Sequence, residues 1–147
     1  MVPYFHSEDD EKNENLVGHL LEKPWRCVAL RAVDPYSRVD WNFVRGKVVI
    51  AIGELKARTH PIDKYPTVFL SVSKYEALMD RKRELDVKAV FVVRFSCGTI
   101  RWIHADEIDN TKVRIAGRPP RPGSVHDQEP IIDVPIAQMR RLKNETP

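Results

Sequence analysis

A chain of 147 residues, 42% hydrophobic and 31% charged, has the size and composition of a single soluble globular domain. Near this length folding buries roughly 70% of the unfolded surface, so a real core is possible. No apolar run approaches the roughly 20 residues of a membrane helix, so no membrane role is expected. The net charge of +3 is uneven: six acids and Lys12 leave residues 1–22 at −5, so the rest carries +8. A basic body suits a polyanion such as nucleic acid. Cys27 and Cys97 form no Cys-x-x-Cys pair, and the acidic N-terminus lacks a signal-peptide pattern. Reduced thiols and a cytoplasmic location are expected.

Residues 1–7 read as a loose tail. A helix is predicted from Glu8 to Lys23, with acids in its first turns and an apolar stripe of Leu16, Val17, Leu20 and Leu21, ended by Pro24. Trp25 to Arg31 reads as a strand, Asp34 to Ser37 as a turn, Arg38 to Val44 as a second strand and Lys47 to Lys56 as a third. A polar, proline-marked loop covers Arg58 to Thr67. A second helix starts at Ser73, which forms a Ser-x-x-Glu capping box with Glu76. Lys88 to Phe95, Thr99 to His104 and Lys112 to Ile115 read as strands. Ala116 to Pro130 reads as a proline- and arginine-rich loop, and Ile131 to Leu142 as a short strand and a short helix ending in Arg140-Arg141. This order gives an α/β fold, a mixed central sheet flanked by helices, in one domain spanning 1–147.

The third predicted strand carries the chemistry. The apolar run Val48-Val49-Ile50-Ala51-Ile52 ends in Gly53-Glu54-Leu55-Lys56. Alternation puts Glu54 and Lys56 on one face, and a run apolar on both faces implies a strand covered on both sides. Charges at its end need partners, water or a function. Asp40 lies upstream on the preceding strand. From the residues alone, this is either a surface ion pair with an unrelated aspartate or a two-carboxylate metal site with an assisting lysine.

Asp40, then Glu54-Leu55-Lys56 after an apolar strand and before a helix, resembles the PD-(D/E)XK nuclease superfamily. The resemblance runs from about Glu8 to Ile108 in the order helix, three strands, helix, strand. It implies a restriction-endonuclease-like core and a metal-dependent phosphodiester hydrolase acting on DNA. Asp40, Glu54 and the Leu55 backbone carbonyl would hold Mg²⁺ or Mn²⁺. Lys56 would orient the water and offset charge. Lys74 occupies the place where many members carry Gln or Lys early in the second helix. Some members add a Glu on the inward face of the first helix. Here the stripe of Leu16, Val17 and Leu20 puts Asn13 on that face, with Glu14 beside it. Glu-Leu-Lys-x-Arg, Tyr-Pro-Thr and Ser-x-Ser-Lys also resemble small nuclease-like proteins of bacteriophages, which implies host cytoplasm as the site of action.

The site has a geometric requirement. A two-residue turn at Arg45-Gly46 pairs Asp40 with Ala51, on the face away from Glu54. An odd-length loop or a bulge is therefore expected. A three-residue loop with Gly46 left-handed restores the face but leaves Asp40 opposite Ile50. That is about four residues, roughly 13 Å, from Glu54 along the strand, so further irregularity must close the gap.

Arg58, Lys64, Arg118 and Arg121 are candidate phosphate contacts, His60 a candidate for phosphate or proton transfer, and Tyr65 a candidate for base stacking. For each, a solvated surface side chain is the first reading. Trp41 reads as core. Pro119-x-x-Pro122 is a candidate groove ligand or an exposed loop. His6, His19, His104 and His126 lack zinc spacing. A homodimer is plausible where two strands are cut. The competing function is a catalytically silent nucleic-acid-binding or structural protein with the same fold.

Overall fold

The structure, a computed structural model, describes residues 8–117 and 128–147. The expected N-terminal tail, Arg118, Arg121 and Pro119-x-x-Pro122 lie outside the described residues. Helix α1 (Glu8–Trp25) is followed by β1 (Val28–Arg31), β2 (Trp41–Arg45), β3 (Val48–Ala57), β4 (Thr67–Ser71) and helix α2 (Val72–Leu85). Then come β5 (Lys88–Arg94), β6 (Ile100–His104), β7 (Val113–Gly117), β8 (Gln128–Pro135) and β9 (Arg140–Arg141). Short 3-10 turns occur at Ala105–Glu107 and Ile136–Gln138. One sheet has the order β1-β2-β3-β5-β6-β9, and a second has the order β4-β8-β7.

The larger sheet is mixed, as expected. β3 pairs antiparallel with β2 and parallel with β5. A parallel pair needs a crossover, and the chain supplies it through β4 and α2. Each face of this sheet is covered. Val17, Leu21 and Trp25 of α1 recur at helical spacing and pack on Phe43, Leu55 and Val92. Ala77 and Leu78 of α2, with Val68 and Leu70 of β4 and Ile132 of β8, pack on Ile52, Phe91 and Val93. Coverage on both sides is why β3 and β5 read as nearly unbroken apolar runs. Gly53 sits where side chains crowd: a Cβ there would lie 2.9 Å from the Phe43 ring and 3.2 Å from the Val90 carbonyl.

Several boundaries differ from expectation, each for a local reason. Trp25 and Pro24 belong to the end of α1 rather than stopping it or starting β1; Trp25 is fully buried and packs edge-on against Phe43 and Trp102. Helix α2 begins at Val72, and its cap is Ser71, whose hydroxyl accepts from the Lys74 amide at 3.2 Å. The predicted Ser73–Glu76 box is therefore displaced by two residues, and Lys74 is the third helical residue. β4 was not predicted: two alternating buried residues, Val68 and Leu70, give a weak strand signal beside a long polar loop. β7 continues to Gly117 and β8 starts at Gln128, shortening the predicted loop. Arg140-Arg141 is not a helix end but a two-residue strand paired with Arg101 and Trp102.

Candidate active site

The β2–β3 register decides whether the predicted carboxylates meet. The turn is Gly46-Lys47, with φ of +55° and +67°, and it pairs Arg45 with Val48. Two successive left-handed residues match the twist of a tight hairpin. This turn lies one position later than predicted and moves the register by two residues. A bulge between Phe43 and Val44 then pairs Phe43 with Ala51 and Trp41 with Gly53, leaving Ile50 as the extra residue. The combined shift is three, an odd number. Asp40 immediately precedes Trp41, and Glu54 immediately follows Gly53, so the two acids end up across from one another. The expected irregularity exists, but it consists of a displaced two-residue turn plus a bulge rather than a three-residue loop. The Asp40 backbone is fixed as well: its carbonyl accepts from the Ala32 amide at 2.6 Å.

Lys74 reaches this pair from α2. Its Nζ lies 3.5 Å from Asp40 Oδ2 and 3.8 Å from Glu54 Oε2. Lys56 Nζ lies 3.2 Å from Glu54 Oε1. Asp40, Lys74, Glu54 and Lys56 thus form a continuous chain of alternating charge. Glu54 is 2% exposed and Lys74 8%, so the low-dielectric surroundings strengthen each contact while making an unmatched charge costly. Lys56 is the most accessible member, at 31% of its side chain. Leu55 lies between Glu54 and Lys56, with its own side chain wholly buried against α1.

Glu14 joins the site from the first helix. It is 4% exposed, and with Lys56 it lines a small cavity of about 190 Å³. Arg31 of β1 lies 3.9 Å from Glu14 and donates to Asn15 at 3.1 and 3.2 Å, pinning the start of α1 to the sheet. The stripe predicted for this helix was rotated. Leu16 and Leu20 are 43% and 38% exposed, whereas Val17, Leu21 and Trp25 are buried. Glu14 lies three residues before Val17 and seven before Leu21, so the true stripe carries it inward and leaves Asn13 exposed.

Burial by itself pushes the Lys56 pKa down, yet Glu54, then Glu14, and the hydrogen bond with Glu54 raise it more, leaving it above its ordinary value. Lys56 is therefore a cation at neutral pH, suited to attracting and orienting oxygen ligands rather than to taking a proton. Arg58, two residues on, has a lowered pKa, chiefly from burial and opposed by Glu54. Asp40 and Glu54 offer hard oxygen donors of the kind Mg²⁺ and Mn²⁺ prefer. Among the described residues no group of three His, Cys, Asp or Glu forms a closed metal cage. A two-carboxylate set fits a cation that keeps water and substrate oxygens as its other ligands, as Mg²⁺ commonly does.

The remaining candidates separate. Arg58, His60 and Tyr65 line a cavity of about 510 Å³ next to Ala57. The His60 ring meets Tyr65 edge-on at 5.1 Å and lies 5.9 Å from Phe95, so it is half-buried rather than solvated. Lys64 lies over the Tyr65 ring at 5.4 Å. Trp41 is core, 3% exposed, under the Arg31 guanidinium at 4.8 Å. Sequence reasoning missed Phe69, Arg114 and Asp133, which complete the larger cavity. They lie on strands whose pairing the sequence did not reveal.

Over residues 1–142 the chain matches a family described as "Phage putative PDDEXK endonuclease". No match was found among curated proteins. Among solved structures it is similar to Archaeoglobus fulgidus Hjc, described as a Holliday junction resolvase from an archaeal hyperthermophile. The two share 14% identity and a TM-score of 0.50, over 88% of this chain and 93% of that one. At that identity the likeness speaks for the fold. The family match covers nearly the whole chain, and the chain belongs to this family of phage PD-(D/E)XK endonucleases.

Proposed function

We propose that this phage-family endonuclease hydrolyses phosphodiester bonds in DNA with the help of a divalent cation, Mg²⁺ or Mn²⁺, held by Asp40 and Glu54 with the Leu55 carbonyl. The observation that carries the reading is the three-residue register shift between β2 and β3. It sets Asp40 across from Glu54, with Lys74 contacting both acids. A purely structural hairpin has no need for a bulge that faces two acids inward.

A cation held there would supply Lewis-acid chemistry to the phosphodiester. The chain's own groups do the rest. Lys56, held protonated by Glu54 and Glu14, orients the attacking water and offsets the charge that develops on the phosphate. Lys74 is a positioning residue: it keeps the two carboxylates together and limits their mutual repulsion. Glu14 holds Lys56 charged from the α1 side. Arg58 continues the same positive edge toward the flanking strand.

Branched DNA is the first substrate to try, because the structurally similar Hjc is a Holliday junction resolvase. The test is cleavage of linear, nicked, branched and single-stranded DNA with Mg²⁺ or Mn²⁺, comparing the wild type with Lys56→Ala. Metal-dependent cutting by the wild type that the variant loses is the expected result. A well-folded wild type that binds DNA in chelator but cuts nothing with metal refutes hydrolysis and leaves a nucleic-acid-binding protein.

A further inference from the structure

Directly beyond the catalytic strand lies the cavity of about 510 Å³. Its position is informative, because Ala57 and Arg58 line it and also line the small cavity at Lys56 and Glu14. A nucleotide next to a phosphate at Lys56 would be presented with this cavity. Its walls combine two features that single-stranded nucleic acid uses. The first is aromatic surface held open to solvent: Tyr65 is 50% exposed and Phe69 44%. The second is fixed positive charge: the Arg58 guanidinium lies 4.5 Å from the Phe69 ring centre and donates to the Phe69 carbonyl at 3.1 Å.

The second sheet builds the far wall. Phe69 on β4 pairs with Asp133 on β8, and opposite residues of an antiparallel pair share a face. Arg114 of β7 grips Asp133 through both carboxylate oxygens, one of these bonds being 3.0 Å. The cavity therefore presents a polar donor–acceptor pair beside a ring, on strands rather than on a free loop. Its volume falls in the range of pockets that enclose a small organic group. Half-exposed aromatic rings cost hydration, and neither Tyr65 nor Phe69 belongs to either core cluster, so fold stability does not explain them.

We propose that this cavity receives one unpaired nucleobase of the strand being cut, stacked on Phe69 or Tyr65, with Arg58 toward the adjoining phosphate and the Arg114–Asp133 pair toward the base edge. The proposal rests on the nuclease reading above and narrows its substrate class. The preferred DNA has an unpaired nucleotide beside the scissile phosphate, as at a gap, flap or branch, rather than continuous duplex. Unstacking a base costs least where it is already unpaired, and an aromatic platform accepts any base because each has a π-face.

The test uses oligonucleotides carrying 2-aminopurine at one position, either unpaired in a gap or paired in a duplex of the same sequence. Binding is followed in chelator by 2-aminopurine fluorescence and by anisotropy of an end label, for the wild type, Phe69→Leu and Tyr65→Leu. Both side chains are half-exposed, so leucine preserves the fold, which circular dichroism checks. The wild type is expected to quench the unpaired probe and leave the paired one unchanged. At least one leucine variant should lose the quench and bind gapped DNA roughly 5-fold or more weakly, the lower end of one base–aromatic stack. Equal quenching by the wild type and both variants, equal affinity for gapped and paired DNA, or no binding at all overturns the proposal. The assay needs no catalysis, so the two readings fail separately. Metal-dependent cutting without a quench removes the base pocket alone, and a Phe69- or Tyr65-dependent quench without cutting removes hydrolysis alone.

Discussion

Replacing Lys74 by methionine isolates what holds the two acids together. The side chain stays unbranched and keeps most of its length, and it loses the charge and the N–H donors. Lys74 Nζ stands 3.5 Å from Asp40 and 3.8 Å from Glu54. At an effective dielectric constant of about 20, each contact has a gross Coulomb energy of about 4–5 kcal/mol. Much of this is offset by the desolvation of three nearly buried groups, since the Lys74, Asp40 and Glu54 side chains are 10%, 14% and 2% exposed. Removing one partner of a buried pair typically costs about 3–5 kcal/mol, because the partner charge is left behind. We take the lower end, about 3 kcal/mol, since Asp40 retains some contact with water. At roughly 2–4 °C per kcal/mol for a chain of this size, Lys74→Met should lower Tm by about 6–12 °C in chelator. On the proposed reading, Mg²⁺ would then meet carboxylates that carry more uncompensated charge. Its stabilising effect, about 2.7 kcal/mol at 100 times Kd, should appear at lower Mg²⁺ in the variant than in the wild type. Thermal unfolding with and without Mg²⁺ reads both effects. A variant within about 2 °C of the wild type, with the same Mg²⁺ dependence, would show that Lys74 does not balance the two acids.

Gly53→Ala should destabilise the chain by roughly 1–3 kcal/mol, because the new methyl carbon would lie 2.9 Å from the Phe43 ring and 3.2 Å from the Val90 carbonyl; a urea midpoint equal to the wild type's would contradict the close β2–β3–β5 packing. Ser71→Ala should cost about 1 kcal/mol through the lost cap bond to the Lys74 amide, while Ser73→Ala should stay within about 0.5 kcal/mol; the opposite ranking in denaturant unfolding would return the cap to Ser73. Cys97 is fully exposed, and its hydrogen bonds with Thr99, first of the side chain and then of the backbone, lower its pKa to about 7. The thiol form persists below that pH and the reactive thiolate above it, so its iodoacetamide rate should climb through pH 7 and level off. Cys27, raised chiefly by burial and then by Glu22, should react slowly over the same range, and equal rates by mass spectrometry would refute the assignment.

Most of the fold was legible because its signals are local. The acidic start of α1, the apolar runs of β3 and β5, and the β-hairpin residues each report on their own neighbourhood. β4 escaped because a five-residue strand with two buried side chains has little periodicity to show. The phase of α1 was misjudged for a different reason. Leu16 and Leu20 are as apolar as Val17 and Leu21, so composition admits two stripes separated by a fraction of a turn. What distinguishes them is Trp25, which packs against Phe43 and Trp102 across the sheet. Once Trp25 is taken as helical, the stripe Leu21, Val17 and Glu14 follows from the 3.6-residue period. The acid at its end then becomes an inward group.

The candidate site was legible in identity but not in register, and the two depend on different physics. A Glu-x-Lys on a buried strand is a statement about one strand's alternation. Whether Asp40 meets Glu54 depends on summing a turn and a bulge, and a single-residue change in that sum reverses the face. Arg45-Gly46 and Gly46-Lys47 look like equally good two-residue turns, since Gly46 tolerates a positive φ in either. The chain adopts the second, with Lys47 also left-handed, at a steric cost that an L residue bears there. That choice alone moves the register by two and leaves Asp40 facing the wrong way. Only the added bulge at Ile50 makes the shift odd. Deleting Ile50, the residue left without a partner in β2, should therefore straighten the hairpin while keeping Asp40 across from Glu54. Retained Mg²⁺-dependent stabilisation in a deletion variant that still folds is the expected result. Loss of that stabilisation would mean the cation needs the bulge itself and not only the facing acids.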